Sequence, residues 1–306
     1  MEKIQRTFIP GSRWLYFKVY TGVKTADKIL INNISSVIKR MKRLGILEKW
    51  FFIRYNDPDF HLRVRFLVKD EKHIGEAIHL FYKQCSSLME KKRIWKLQLE
   101  TYNRELERYN SKLMEDAESI FYLDSECILS LLSLLEKYGN ENYRWMVSLK
   151  MIDGLLSDFC FSLERKQELL ALISDSFKAE FGFNKYNSKQ FNSKYRENKS
   201  LIERVLKEST EDEKMVALSS VIRKRDRKLI LLASGINHKL KCDHQEKNIE
   251  ALLSSYIHMT MNRLFRSKNR VHELLLYDFL ARYYTSEIAR EKYKSLPEIN
   301  LNTVDI

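Results

Sequence analysis

Between Phe60 and Phe66 the chain alternates without a break. His61, Arg63 and Arg65 fall on one side of an extended backbone, and Leu62, Val64 and Phe66 fall on the other. This is a strand with an apolar underside and a cationic top, as expected of a sheet covered on one face. Arginine stays charged at every biological pH and its planar fork matches a carboxylate. Two arginines one pleat apart, with a histidine beside them, therefore suggest a preformed anion site. The competing reading is a solvated strand face.

The neighbouring segments decide what fold such a strand belongs to. Trp14 to Tyr20 is aromatic and β-branched and stops at Thr21-Gly22, which predicts a first strand. Helical spacing follows over 26–44 (Ile29, Ile34, Val37, Ile38, Met41, Leu44) and ends at Gly45. A second strand is predicted over 50–55, and Asn56-Asp57-Pro58-Asp59 is turn chemistry leading into a third over 61–68. An amphipathic helix over 74–89 and a fourth strand over 94–101 complete the series. The order predicts an α+β fold whose first part, 1–110, is a ferredoxin-like βαββαβ unit.

From residue 114 onward the signal is helical, recurring over 117–138, 143–163, 166–181, 201–208, 212–237, 247–265 and 272–289. The second part, 111–306, is thus a larger all-helical region, and both parts are expected to form one domain. With only 8 glycines and 3 prolines in 306 residues, an all-β fold is disfavoured. The Asn-, Ser- and Lys-rich run 184–200 reads as an exposed loop or flap. The basic cluster 223–228 reads as the solvent face of a helix, or else as a docking patch.

Composition narrows the chemistry further. A formal charge of +13 favours anionic partners. Direct nucleic-acid binding is not expected, because the aromatic residues lie in apolar patterns rather than interleaved with charge. Cys85, Cys127, Cys160 and Cys242 are widely spaced and read mostly as reduced core thiols. Signal-type and membrane-spanning apolar runs are missing, so a cytoplasmic location is expected. GxGxxG, GxxxxGK[ST], HExxH, GxSxG and CxxC are all absent from the sequence, so neither metal nor cofactor is expected. An Arg, Glu and His set without metal suits proton abstraction and anion departure.

Two more segments could supply such a set. In the segment from Glu100 to Tyr109, a helical turn would make Glu105 and Arg108 neighbours at i,i+3, and Arg104 and Arg108 neighbours at i,i+4. A surface helix with salt bridges explains this equally well. On the segment from Tyr256 to Phe265, His258 and Asn262 share one face, and Ser254 lies on that face one turn earlier. His258 is a natural proton carrier if that face meets an anion site.

Taken in order, these pieces resemble a known family, the elimination domain at the C-terminus of class I lanthipeptide dehydratases, or thiopeptide-type bacteriocin biosynthesis domain. The pieces are the Trp14 to Tyr20 segment, WFFIRYNDPDFHLRVRF, the Tyr102 to Tyr109 segment, and His258 to Arg263 followed by Glu273 to Tyr284. The resemblance runs from about residue 12 to 290. It implies an enzyme, a lyase, that removes glutamate from glutamylated Ser or Thr of a precursor peptide to leave dehydroalanine or dehydrobutyrine.

It further implies catalytic roles for Arg63, Arg65, Glu105, Arg108 and His258; Arg54, His61 and Asn262 are expected to bind substrate beside them. Arg63, Arg65 and Arg108 would hold glutamate's carboxylates or the developing oxyanion. His258 would move a proton, and Glu105 would orient an arginine or assist as base. His61 is expected to support rather than catalyse. The family usually has glycine after the Arg-Tyr pair, where this chain has Asn110, which tolerates a left-handed backbone better than most residues. At this length the chain is expected to act in trans, on peptide made by a separate glutamylation protein. The alternatives are a pyridine synthase-type [4+2] cycloaddition in thiopeptide biosynthesis, which shares the fold, and a non-catalytic peptide-binding partner.

Overall fold

In a computed structural model of the protein, residues 4–245 and 248–294 are described. The chain opens with a two-residue strand, β1 (Thr7–Phe8), and then lays down β2 (Trp14–Thr21). A continuous helical stretch follows, α1 (Val23–Lys28), a π-helical segment Ile29–Ile34, and α2 (Ser35–Arg43). Gly45 ends it with φ +71°, a conformation glycine adopts freely. Next come β3 (Leu47–Asn56), β4 (Phe60–Val68), α3 (Ile74–Glu90), β5 (Ile94–Glu100) and the short β6 (Tyr102–Asn103).

The four long strands form one antiparallel sheet in the order β3-β4-β2-β5, while β1 pairs with β6. Leu15, Phe17, Val19, Leu62, Val64 and Phe66 make the buried underside, covered by Ile29, Leu30, Ile38 and Met41 on one side and Phe81 on the other. Phe17 stacks on Phe81 at 4.1 Å between ring centres.

The remainder is helical: α4 (Leu106–Tyr109), α5 (Met114–Tyr138), α6 (Asn142–Asp158), α7 (Leu163–Glu180), α8 (Lys185–Leu206), α9 (Glu213–Cys242), α10 (Ile249–Leu264) and α11 (Asn269–Lys294). Helix α10 closes the open edge of β3 with side chains. Asn262 accepts from the Arg54 N–H and donates to the Arg54 carbonyl, both at 2.9 Å, and Arg263 Nε donates to the Phe52 carbonyl at 2.8 Å. Edge groups that would otherwise seek another strand are thereby satisfied.

Three expectations are corrected. The run read as a loop at 184–200 is helix α8, capped by Asn184, whose side chain accepts from the N–H groups of Tyr186 and Asn187. Only Tyr195, Ile202 and Val205 of this helix are buried, so its polarity reflects exposure rather than irregularity. Within the basic cluster, Lys224, Arg227 and Lys228 are exposed on α9 as a solvent face requires, but Arg225 turns inward to Asp124 (3.1 Å) and Asp226 (2.8 Å). Of the cysteines, Cys85 and Cys127 are buried, whereas Cys160 and Cys242 lie exposed at helix ends.

The joint between the sheet and the helical part is a buried ion pair. Glu118 on α5 takes two hydrogen bonds from Arg104 (2.7 and 2.6 Å) and one from the Tyr102 hydroxyl (2.9 Å). Glu118→Gln keeps the shape but removes the charge from this joint. It should lower unfolding free energy by about 2 kcal/mol in urea titration.

Candidate active site

The register of the sheet assembles the cationic face. Arg65 lies across from Tyr16 and Phe51, Arg63 from Lys18 and Ile53, and His61 from Tyr20 and Tyr55. The Arg65 guanidinium sits 4.3 Å from the Tyr16 ring, 4.8 Å from Tyr102 and 5.2 Å from Phe51. It is buried, its Nε has no partner, and burial lowers its pKa. Among the described residues neither Arg63 nor Arg65 is ion-paired, though Glu105 lies near enough to Arg65 to favour its charge. Aromatic faces recover only part of the cost of burying a cation, so Arg65 is left poised for an anion.

Arg63 stacks on Tyr55 at 3.4 Å, and its Nε donates to His61 Nε2 at 3.2 Å. His61 Nδ1 is 2.8 Å from the Asp59 carbonyl, which can only accept. Nδ1 therefore carries the proton and Nε2 receives Arg63, so both ring nitrogens are committed. Burial lowers the His61 pKa as well. This histidine orients Arg63 in its neutral form.

The segment after β6 supplies the next two groups. Arg104 precedes α4 and is turned inward to Glu118, so it does not lie beside Arg108 as helical spacing allowed. Arg108 instead meets Glu105 at 3.4 Å and donates from Nε to Ser255 Oγ on α10 at 3.2 Å. Tyr109 stacks on Tyr256 of α10 at 5.8 Å, and burial pushes its hydroxyl pKa up to about 12. Asn110 has φ +64°, the positive value its family position implies, and its side chain caps the next turn at Lys112.

His258 lies one turn beyond Ser255 on the same helix. Its Nδ1 is 2.8 Å from Oε1 of Glu273, a fully buried carboxylate on α11 that the Tyr277 hydroxyl also reaches at 3.2 Å. Nδ1–H donates to this carboxylate, which can only accept, leaving Nε2 as the nitrogen that can give or take a proton.

Sheet face, α4 and α10 thus bring Arg63, Arg65, Glu105 and Arg108 to one region, with His258 a turn along. Arg54 and Asn262 are not part of that face. The Arg54 guanidinium points into a buried network with Asp27 (2.6 Å), and the Asn262 amide is spent on the Arg54 backbone. Reasoning from sequence left Tyr16, Tyr55 and Tyr102 without a role, as well as Ser255 and Glu273. A lone Glu273 before Leu274-Leu275-Leu276 was the readable signal. The tyrosine contacts depend on sheet register.

Arg263 belongs beside this group. It is wholly buried, lies 4.9 Å over the Phe121 ring, and pairs with Asp124 at 3.8 Å, while two of its nitrogens have no hydrogen-bond partner. Burial lowers its pKa to about 10.

The likeness to known proteins is one of family and fold. The family model described as "Lantibiotic biosynthesis dehydratase C-term" matches residues 14–284. The chain is 26% identical to the nisin biosynthesis protein NisB of Lactococcus lactis subsp. lactis over 176 residues, 56% of this chain and 16% of NisB. Its fold is similar to that of the tRNA-dependent lantibiotic dehydratase MibB from Microbispora sp. 107891, with TM-score 0.72 and 20% identity. That likeness covers 92% of this chain and 29% of MibB. It is also similar to TbtD, a pyridine synthase from thiomuracin biosynthesis, with TM-score 0.62, 11% identity, and 92% and 100% of the two chains covered. The chain therefore spans under a third of the dehydratases it matches. By the extent of the family match, this chain belongs to the lantibiotic biosynthesis dehydratase C-terminal family.

Proposed function

We propose that this chain eliminates glutamate from glutamylated Ser or Thr residues of a precursor peptide, leaving dehydroalanine or dehydrobutyrine. The observation that carries this reading is Arg65, a buried guanidinium caged by aromatic rings and lacking a carboxylate, next to Arg63. The reaction needs removal of the peptide Cα proton and a place for enolate-like charge. As the C=C bond forms, the Cβ–O bond breaks and its electron pair leaves with a carboxylate. Arg63, Arg65 and Arg108 answer the negative charge, and Glu105 holds Arg108 in place. His258 moves a proton through Nε2, steadied from behind by Glu273.

The glutamyl ester would come from a separate glutamylation protein, and we read the sheet as a ferredoxin-like unit, a reading that the strand order β3-β4-β2-β5 supports. No helix among the described residues is long and apolar enough to cross a membrane.

Mass spectrometry of a cognate precursor, first glutamylated and then incubated with this protein, tests the reading. Loss of glutamate with formation of dehydrated residues supports it. Leader release with ring closure on a pre-dehydrated peptide would overturn it in favour of cycloaddition. An Arg63→Ala variant that eliminates as fast as the parent would remove Arg63 from the site.

Glu273→Gln should lower kcat by about 10- to 100-fold with KM nearly unchanged, as for carboxylates that orient a working histidine from behind. Single-turnover assays on purified glutamylated peptide would show this. A proportionate rise in KM would instead assign Glu273 to substrate binding.

A further inference from the structure

One turn beyond His258 along α10, between the end of β3 and the start of α11, lies a hollow of about 390 Å³. Its charged lining is wholly cationic: Arg54, Arg266 and Lys268. Of the carboxylates around it, Asp27 is answered by Arg54, Arg144 and Arg266, and Glu141 by Arg144 and Arg266, while Asp57 and Asp59 sit in the turn between the lining residues Asn56 and Phe60. Lys268 has no ion-pair partner among the described residues. Arg54 is 3% exposed, and while its Nε and one terminal nitrogen are bonded, the other has no partner. A buried guanidinium N–H without a partner, on a residue that lines the hollow, calls for an acceptor.

Two further features fix the kind of acceptor. Ser267, Lys268 and Asn269 carry the chain into α11, a helix of 26 residues with no acidic residue in its first turn, so partial positive charge adds to that of the side chains. The remaining walls include Val23, Tyr55 and Phe60, which suit methylene groups rather than a bare inorganic anion. Asn269 Oδ1 is also buried and unpartnered, and a half-turn of that amide would present its donor instead. Tyr55 is shared with the candidate active site, since Arg63 stacks on it.

We propose that this hollow is a second carboxylate-binding subsite, taking a carboxylate on a short aliphatic stem such as a glutamate or aspartate side chain. Arg54 and Lys268 meet the carboxylate and Tyr55 and Phe60 flank the stem. The identity of its natural occupant rests on the proposed peptide reaction; the subsite itself does not. A peptide carrying an acidic residue near the modified Ser or Thr would be anchored here while its glutamyl ester lies toward Arg63.

Calorimetric titration of the full chain with two probes tests this: free L-glutamate, and a capped, unglutamylated peptide bearing one glutamate side chain. Lys268→Glu, with Lys268→Gln beside it, should weaken binding by about tenfold or more while melting as the parent does. Binding of the capped peptide should survive Arg63→Ala. Preference for the peptide identifies an acidic side chain as occupant, and preference for free glutamate identifies the released product.

Parent-like binding in Lys268→Glu, loss in Arg63→Ala instead, or no heat with either probe would overturn the subsite. Because no turnover is required, a protein that binds here but never eliminates glutamate would sink the proposed function alone.

Discussion

Replacing Arg65 with methionine should slow glutamate elimination by about 10²–10³-fold or more while leaving the fold as stable as before. The rate loss is the usual cost of removing one preorganised donor from the place where negative charge develops. The stability expectation follows from the surroundings. Arg65 is buried among Tyr16, Phe51 and Tyr102 with no carboxylate, so its removal orphans no partner. An apolar chain of similar length fits the aromatic cage, and swapping a buried unpaired cation for it is neutral or stabilising. Accumulated glutamylated peptide in mass spectra, together with an unchanged or higher urea midpoint, is the expected pair of results. If Arg65→Met eliminated normally, the cage would be a packing device rather than an anion site. A collapse in stability would mean that the guanidinium supports the core.

Asp27→Asn should do the reverse, costing stability first. Asp27 is 1% exposed and holds Arg54 at 2.6 Å, Arg144 at 3.0 Å and Arg266 at 2.6 Å. Removing its charge leaves the buried Arg54 guanidinium unanswered, since Arg144 and Arg266 keep Glu141; the loss is about 3–5 kcal/mol of unfolding free energy.

The same network fixes a pH dependence. Burial pushes the Asp27 carboxyl pKa up, but Arg54, Arg144 and Arg266 together hold it below its ordinary 3.8. A group whose folded pKa is depressed contributes stability that is present above its unfolded pKa and lost as pH falls through the folded one. Acid titration of the parent should therefore show a decline below pH 3.8 that the Asp27→Asn variant lacks. Equal urea midpoints for parent and variant at neutral pH would show that solvent or rearrangement compensates the arginines.

Much of this was legible before any tertiary contact was known. Alternation at 61–66 placed Arg63 and Arg65 on one face, because the pleat has a fixed period of two. The order of the long strands and the helices between them followed from turn residues and periodicity. Helix α8 was not legible, since a helix exposed on most sides has too few apolar positions to show a period. Arg54 is instructive in the other direction. It stands between Ile53 and Tyr55 in a motif-bearing strand, yet alternation alone could not reveal that Asp27 lay waiting on the opposite face.

The sequence by itself determined which residues could carry charge to the upper face of the sheet, and that an Arg, Glu and His set was present. Only the tertiary structure decided which of those charges remain unanswered. Arg104 found Glu118 and Arg54 found Asp27, whereas Arg65 found three aromatic rings and no carboxylate. The reason is that secondary structure is set by local spacing, while the neutralisation of a charge depends on which distant segment packs against it. A guanidinium becomes an anion site when that segment brings no carboxylate to pair with it.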